Sequence, residues 1–176
     1  MKRVTLDLIR VHRAPLDPRR GVLVAGPLVL PCALGRAGVT QRKREGDGAS
    51  PAGRFRLLGA FFRPDRIPRP RTRLPIKALR PSDGWCDDPR DRRYNRPIKL
   101  PDAARHERLW RDDSVYDVVL DIAWNRGPIM RARGSAIFLH LARPGFAATE
   151  GCVAVEPRKA ARLLERIGPQ TRIEIF

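Results

Sequence analysis

Short apolar runs, broken by proline and glycine, dominate this chain and predict strands far more often than helices. Residues 4–11 alternate loosely and read as a first strand, ended by Pro15, Pro18 and Gly21. Residues 22–24 and 28–30 predict a hairpin or two short strands about Ala25-Gly26-Pro27. A loop through Glu45-Gly46-Asp47-Gly48 and Ser50-Pro51-Ala52-Gly53 then feeds an apolar run over residues 55–62. Pro64, Pro68, Pro70 and Pro75 exclude a continuous helix from 63 to 80 and predict an extended, wrapping segment with a short strand at 74–76. Residues 103–111 follow Pro101-Asp102 and predict a short helix carrying a solvent-facing His106. Strands are expected at 116–123, 129–133 and 136–141, and again over Val153-Ala154-Val155. Glu156-Pro157 opens a helix with proline near its first position, its apolar stripe is Leu163, Leu164 and Ile167, and Gly168-Pro169 ends it. Residues 171–176 read as the last strand. The pattern predicts a mainly β sandwich or barrel with one or two short helices, in a single domain over residues 1–176.

Charge changes the picture in one respect. The net charge is +17 and the pI about 11.4, mostly from arginine. Nucleic acid, anionic lipid or an acidic polymer are partners that such a balance attracts; a solvated arginine coat is the plainer alternative. Acidic residues interleave with the basic ones, and no homeodomain, zinc-finger or RNA-recognition signature is present, so no nucleic-acid partner is expected. The apolar runs fall far short of a membrane span, and the N-terminal twenty residues lack the pattern of a signal peptide.

Cys32, Cys86 and Cys152 are too few and too widely spaced for a disulfide framework or a zinc site. Cys32 reads as a buried small side chain, and Cys86 as a poor nucleophile beside Asp87 and Asp88. The third cysteine has a different context. In FLHLARPGFAATEGCVAV, His140 ends one β-prone run, Cys152 begins another, and a loop containing proline and glycine joins them. Two neighbouring strands connected in this way would bring an imidazole and a thiol to one end of a sheet. Cysteine catalysis needs that pairing, because the thiolate is the nucleophile.

These residues resemble the signature of L,D-transpeptidase catalytic domains of the YkuD type, with His140, Thr149, Gly151 and Cys152 at its defining positions. KREGDGASPAGRFRL, from Lys43, is similar to a second segment of that family, and GSAIFLH also fits. The loop between histidine and cysteine is shorter than usual, Glu150 replaces a second histidine, and Ala154 stands where an arginine often follows. The resemblance implies that Cys152 attacks a peptidoglycan stem peptide at an L-residue and forms a thioester. A diaminopimelate amine of a second stem then resolves it, with no cofactor or metal required. His140 would be the imidazolium partner, oriented by the carbonyl of Leu141. The N–H groups of Gly151 and Cys152 would receive the oxyanion. Glu150 either points away or receives the acceptor amine; the second is preferred. A compact branch of the family links stems through L-alanine at position 1 rather than diaminopimelate at position 3, and this chain is a candidate for it.

Arg143 is a candidate to hold a stem carboxylate, and Tyr94, Trp85, Tyr116 and Asn125 to line the cleft, although ordinary packing or a solvated surface accounts for each equally well. Two alternatives share the same residues: a thiol-dependent hydrolase, and a non-catalytic basic protein that binds an anionic polymer. The implied substrate places the protein in the cell envelope or periplasm, while the absence of a visible signal peptide leaves the cytoplasm open. A monomer is favoured.

Overall fold

The computed structural model describes residues 5–176, so the start of the first strand expected at Val4 lies outside the described residues. The chain runs through β1 (Leu8–Arg13), β2 (Arg20–Ala25), β3 (Leu28–Ala33), β4 (Val39–Thr40), β5 (Ser50–Pro51), β6 (Gly53–Phe62) and β7 (Ile76–Ala78). It continues through β8 (Asp83–Cys86), β9 (Arg96–Lys99), β10 (His106–Arg108), β11 (Val118–Ile122) and β12 (Phe138–Leu141). A 3-10 turn (Pro144–Phe146), β13 (Val153–Val155), the helix α1 (Pro157–Leu164) and β14 (Arg172–Ile175) complete it.

The architecture is mainly β, as the sequence pattern predicts. One sheet runs β11-β12-β13-β3-β2-β1-β14-β6-β7. Pairing of β11 with β6, from Val118↔Phe62 to Ile122↔Leu57, closes it on itself as a barrel. The long β6 makes this closure possible. Its first half pairs with β14 and its last residues with β7, while β11 takes the other edge. Period-two alternation sends Ile9 and Val11, Leu23 and Ala25, and Leu30 and Cys32 into one apolar core. The helix α1 adds Ala160, Leu163 and Leu164 to it, with Ile167 just beyond its end.

A second layer positions the site. The small sheet β10-β8-β9 packs over β11 and β12, and a second apolar cluster fills the space between, including Trp85, Tyr116, Val119, Phe138 and Cys152. β11 and β12 are therefore buried on both faces. Leu139 and Leu141 enter the barrel core, so Phe138 and His140 must face the opposite way.

Three expectations need correction. Residues 103–111 are not a helix. Asp102 Oδ1 accepts from the N–H of Ala104 at 2.9 Å in a turn, and the chain then pairs as β10 against β8, with Glu107 opposite Trp85. His106 is half-buried, not solvent-facing, and its Nδ1 meets the Ala104 carbonyl at 2.7 Å. Residues 129–133 are not a strand. Asn125 bonds the Met130 N–H at 2.7 Å and the Gly134 carbonyl at 3.0 Å, which folds the segment into a loop.

Candidate active site

His140 and Cys152 lie on adjacent parallel strands. The register Leu139↔Val153 and His140↔Ala154 sets Cys152 one step before β13, diagonal to the histidine. Val153 and Val155 enter the barrel core, so Cys152 and Ala154 face the same outer side as His140. Both candidate residues line a cavity of about 480 Å³.

The turn before Cys152 is clamped by the backbone around β3 and β5. Thr149 donates its N–H to Leu34 at 2.9 Å, and its carbonyl accepts from Arg36 at 2.8 Å. The Thr149 hydroxyl donates to the Cys152 carbonyl at 2.7 Å and accepts the Gly151 N–H at 3.1 Å. Ser50 Oγ accepts from Gly35 at 2.9 Å and reaches the same Cys152 carbonyl at 3.4 Å. Gly151 has φ +133°, and a Cβ there would lie 2.7 Å from the Ala49 carbonyl oxygen. Glycine is required by both conformation and space.

Polar geometry fixes the state of the pair. His140 Nδ1 meets the Leu141 carbonyl oxygen at 2.9 Å. A carbonyl only accepts, so Nδ1 carries a proton, and in the neutral ring Nε2 keeps its lone pair. Cys152 Sγ donates to the Ala136 carbonyl at 3.3 Å and accepts the Phe138 N–H at 3.4 Å. Burial pushes the thiol up to about 12, and a charged Glu107 pushes the same way. Burial also brings the imidazole down to about 4, assisted by Arg111 and Arg143 and opposed by the Leu141 bond. Burial therefore favours a neutral thiol and a neutral imidazole over the expected thiolate–imidazolium pair. Neither charge has the solvation it would need, and among the described residues Sγ bonds to backbone rather than to His140.

The other candidates divide. Thr149, Glu150, Arg143 and Tyr116 line the cavity with the pair. Tyr116 meets the His140 ring edge-on at 5.2 Å between centroids. Arg143 Nη2 stands 3.6 Å from Asp113. Glu150, expected to receive an amine, is instead exposed and paired with Arg36 at 2.9 Å. Trp85, Tyr94 and Asn125 do not line the cleft. Trp85 is buried against Phe138 and donates to Asn95 Oδ1 at 3.0 Å. Tyr94 is buried with its hydroxyl on Glu45, and Asn125 braces its own loop. Of the two expected oxyanion donors, the Gly151 N–H is occupied by Thr149; among the described residues the Cys152 N–H has no backbone acceptor. Lys43 is buried in the wall with its ammonium 2.5 Å from Asp47.

Sequence reading missed Glu107 and Arg111, which also line the cavity. Both fell in the stretch read as a helix, where no spacing marks them. Among the described residues, no group of three or more His, Cys, Asp or Glu side chains is arranged to hold a metal ion.

The profile of the L,D-transpeptidase catalytic domain (YkuD) matches residues 19–175. The chain belongs to this family. As an L,D-transpeptidase-family domain it is also similar to a crystal structure of Mycobacterium tuberculosis L,D-transpeptidase 1. Identity is 12%, the TM-score is 0.41, and the match covers 96% of this chain but 61% of that one. No curated protein sequence matches the chain.

Proposed function

We propose that this domain is a cysteine acyltransferase that cross-links peptidoglycan stem peptides in the cell envelope. The observation that carries the proposal is the shared face of Cys152 and His140 in one cavity, with Nδ1 anchored on Leu141 and Nε2 left basic. A substrate carbonyl entering the cavity meets a neutral thiol. Cys152 Sγ turns from the Ala136 carbonyl, its proton passes to His140 Nε2, and sulfur adds to the carbonyl of an L-residue. The Cys152 N–H faces the developing oxyanion; a donor of this kind is typically worth ~10²–10³ in rate. His140 then returns its proton to the departing amine, which leaves a thioester for a diaminopimelate amine to resolve. Neutral partners suit this sequence, because neither Cys152 nor His140 has to carry a charge before substrate arrives.

The test is incubation of wild type and Cys152→Ala with purified disaccharide-peptides of several stem lengths, read by mass spectrometry. Cysteine-dependent dimers are expected, and fragmentation of the bridge distinguishes position-1 from position-3 acyl donors. Shortened monomers without dimers would mean a hydrolase, and no cysteine-dependent product would refute the enzyme.

A further inference from the structure

Four carboxylates line the cavity: Glu45, Asp87, Glu107 and Glu150. Three are matched to a cation. Arg36 holds Glu150 at 2.9 Å, and Arg105 holds Asp87 at 2.9 Å and stands 3.7 Å from Glu45. Among the described residues Glu107 has no ion-pair partner. The phenol of Tyr116 donates to its Oε1. That same ring packs edge-on against His140, so Glu107 reaches the candidate thiol site through one shared side chain. Of the charged groups that bear on the Cys152 thiol, Glu107 has the largest effect.

A half-buried carboxylate with only a neutral donor is costly unless a cation arrives to complete it. In the proposed reaction one does, because the acyl acceptor is an amine that enters as an ammonium ion. We propose that Glu107 is the acceptor-side base, taking a proton from the incoming ammonium while His140 serves the thiol. This rests on the acyltransfer reading above and assigns its second half.

The step balances as follows. The ammonium R–NH3+ gives one proton to the Glu107 carboxylate and becomes R–NH2. Its nitrogen lone pair adds to the thioester carbonyl, and collapse breaks the carbon–sulfur bond with the electron pair leaving on Sγ. The second nitrogen proton passes through His140 to sulfur, restoring the thiol, and Glu107 releases its proton to solvent. The charged and titratable groups that bear on Glu107 are Tyr116, Arg111, Arg143, Asp87 and Cys152. Burial lifts its carboxyl above the ordinary glutamate range, the direction that makes a carboxylate a stronger base. A charged Glu107 opposes a thiolate at Cys152, whereas a thioester there carries no charge to oppose. The base is thus compatible with the second half-reaction.

The experiment separates the two halves with disaccharide-tetrapeptide as donor and disaccharide-tripeptide as acceptor, followed by intact-protein mass spectrometry in single turnovers. Glu107→Gln is expected to form the acyl-enzyme at a rate within a few-fold of wild type and to accumulate it. Transfer to the amine should fall by roughly 10²-fold, the lower end for loss of a general base. The rise of wild-type transfer with pH should flatten in the variant, and Glu107→Asp should regain part of the rate. Should Glu107→Gln fail to fold, Glu107→Ala with added acetate gives the same reading through chemical rescue. Equal loss in both halves, or undiminished transfer, would overturn the assignment and leave Cys152 chemistry standing. Absence of any acyl-enzyme in wild type would overturn the acyltransfer reading itself, and this assignment with it.

Discussion

Two buried titratable residues on neighbouring strands oppose each other in their effect on stability. His140 is brought down to about 4, so between that value and 6.5 the unfolded chain holds more protons than the folded one. Stability attributable to it rises with pH across that window. Asp121 runs the other way. It is buried on β11 with Arg126 at 3.3 Å, and burial lifts it to about 6. The folded state then holds the extra proton between 3.8 and 6, and stability falls as pH rises. The two contributions nearly cancel in wild type. Relative to wild type, Asp121→Asn should gain stability steadily from pH 4 to 6, and His140→Gln should lose it over the same range. Urea midpoints at four pH values test this, and parallel profiles for all three proteins would refute it. The chain itself pointed to His140 and Cys152, because a histidine and a Thr-x-Gly-Cys turn flank one loop. It did not disclose their protonation state, which depends on the second layer of packing. That layer is assembled from Trp85, Leu109, Val115 and Tyr116, residues distant in sequence from the pair.

The turn of residues 149–152 illustrates how an element rather than a residue sets the geometry. Thr149 Oγ both donates to the Cys152 carbonyl and accepts from Gly151, so one hydroxyl fixes the Glu150–Gly151 and Cys152–Val153 peptide planes that bracket the approach to the candidate nucleophile. Thr149→Val keeps the shape and removes both bonds. It is expected to cost about 1–3 kcal/mol of stability, since the buried Gly151 N–H loses its acceptor and the Cys152 carbonyl keeps only the longer contact to Ser50. Freed of Thr149, the Gly151 N–H also becomes available to an anion, so the rate of thiol acylation should change by more than stability alone explains. Thr149→Ser, which retains the hydroxyl, should restore both. A Val variant as stable and as reactive as wild type would remove the clamp from the account. The same scale shows why residues 103–111 misled. Their Ala, Arg and Glu content favours a helix, yet Asp102 turns the chain and β8 offers a free edge, so tertiary pairing overrides propensity. Strands such as β1, β2 and β11 were legible because their apolar positions bury one or both faces whatever their neighbours are. Glu107 was not, because its meaning comes from pairing opposite Trp85 rather than from anything adjacent in the chain.

Across the whole molecule, 36 basic side chains outnumber 19 acidic ones. Many acids lie in short-range arginine pairs, such as Asp17 with Arg19, Asp113 with Arg111, and Asp91 and Asp102 with Arg93. Such exposed pairs add little stability, and the excess positive charge remains to act at long range. Among the described residues, no helix is long and apolar enough to cross a membrane. Under the proposed function, a positively charged surface would draw the domain to an anionic polymer before any stem peptide reaches the cavity, through solvent, where salt screens it. The Cys152–His140 pair is screened less, because both residues are buried and burial favours the neutral form of each. Raising salt from about 50 to 200 mM shortens the screening length from near 14 to near 7 Å by the square-root law, anchored at about 10 Å in 0.1 M. Capture on insoluble peptidoglycan should therefore weaken several-fold, while the rate at which a small uncharged acylating agent modifies Cys152 should hardly change. Cys152→Ala should show the same salt-sensitive capture as wild type. If capture is insensitive to salt, the surface charge has no part in delivery; if acylation falls in step with capture, the charge acts inside the cavity, and the arginines that line it become the place to look.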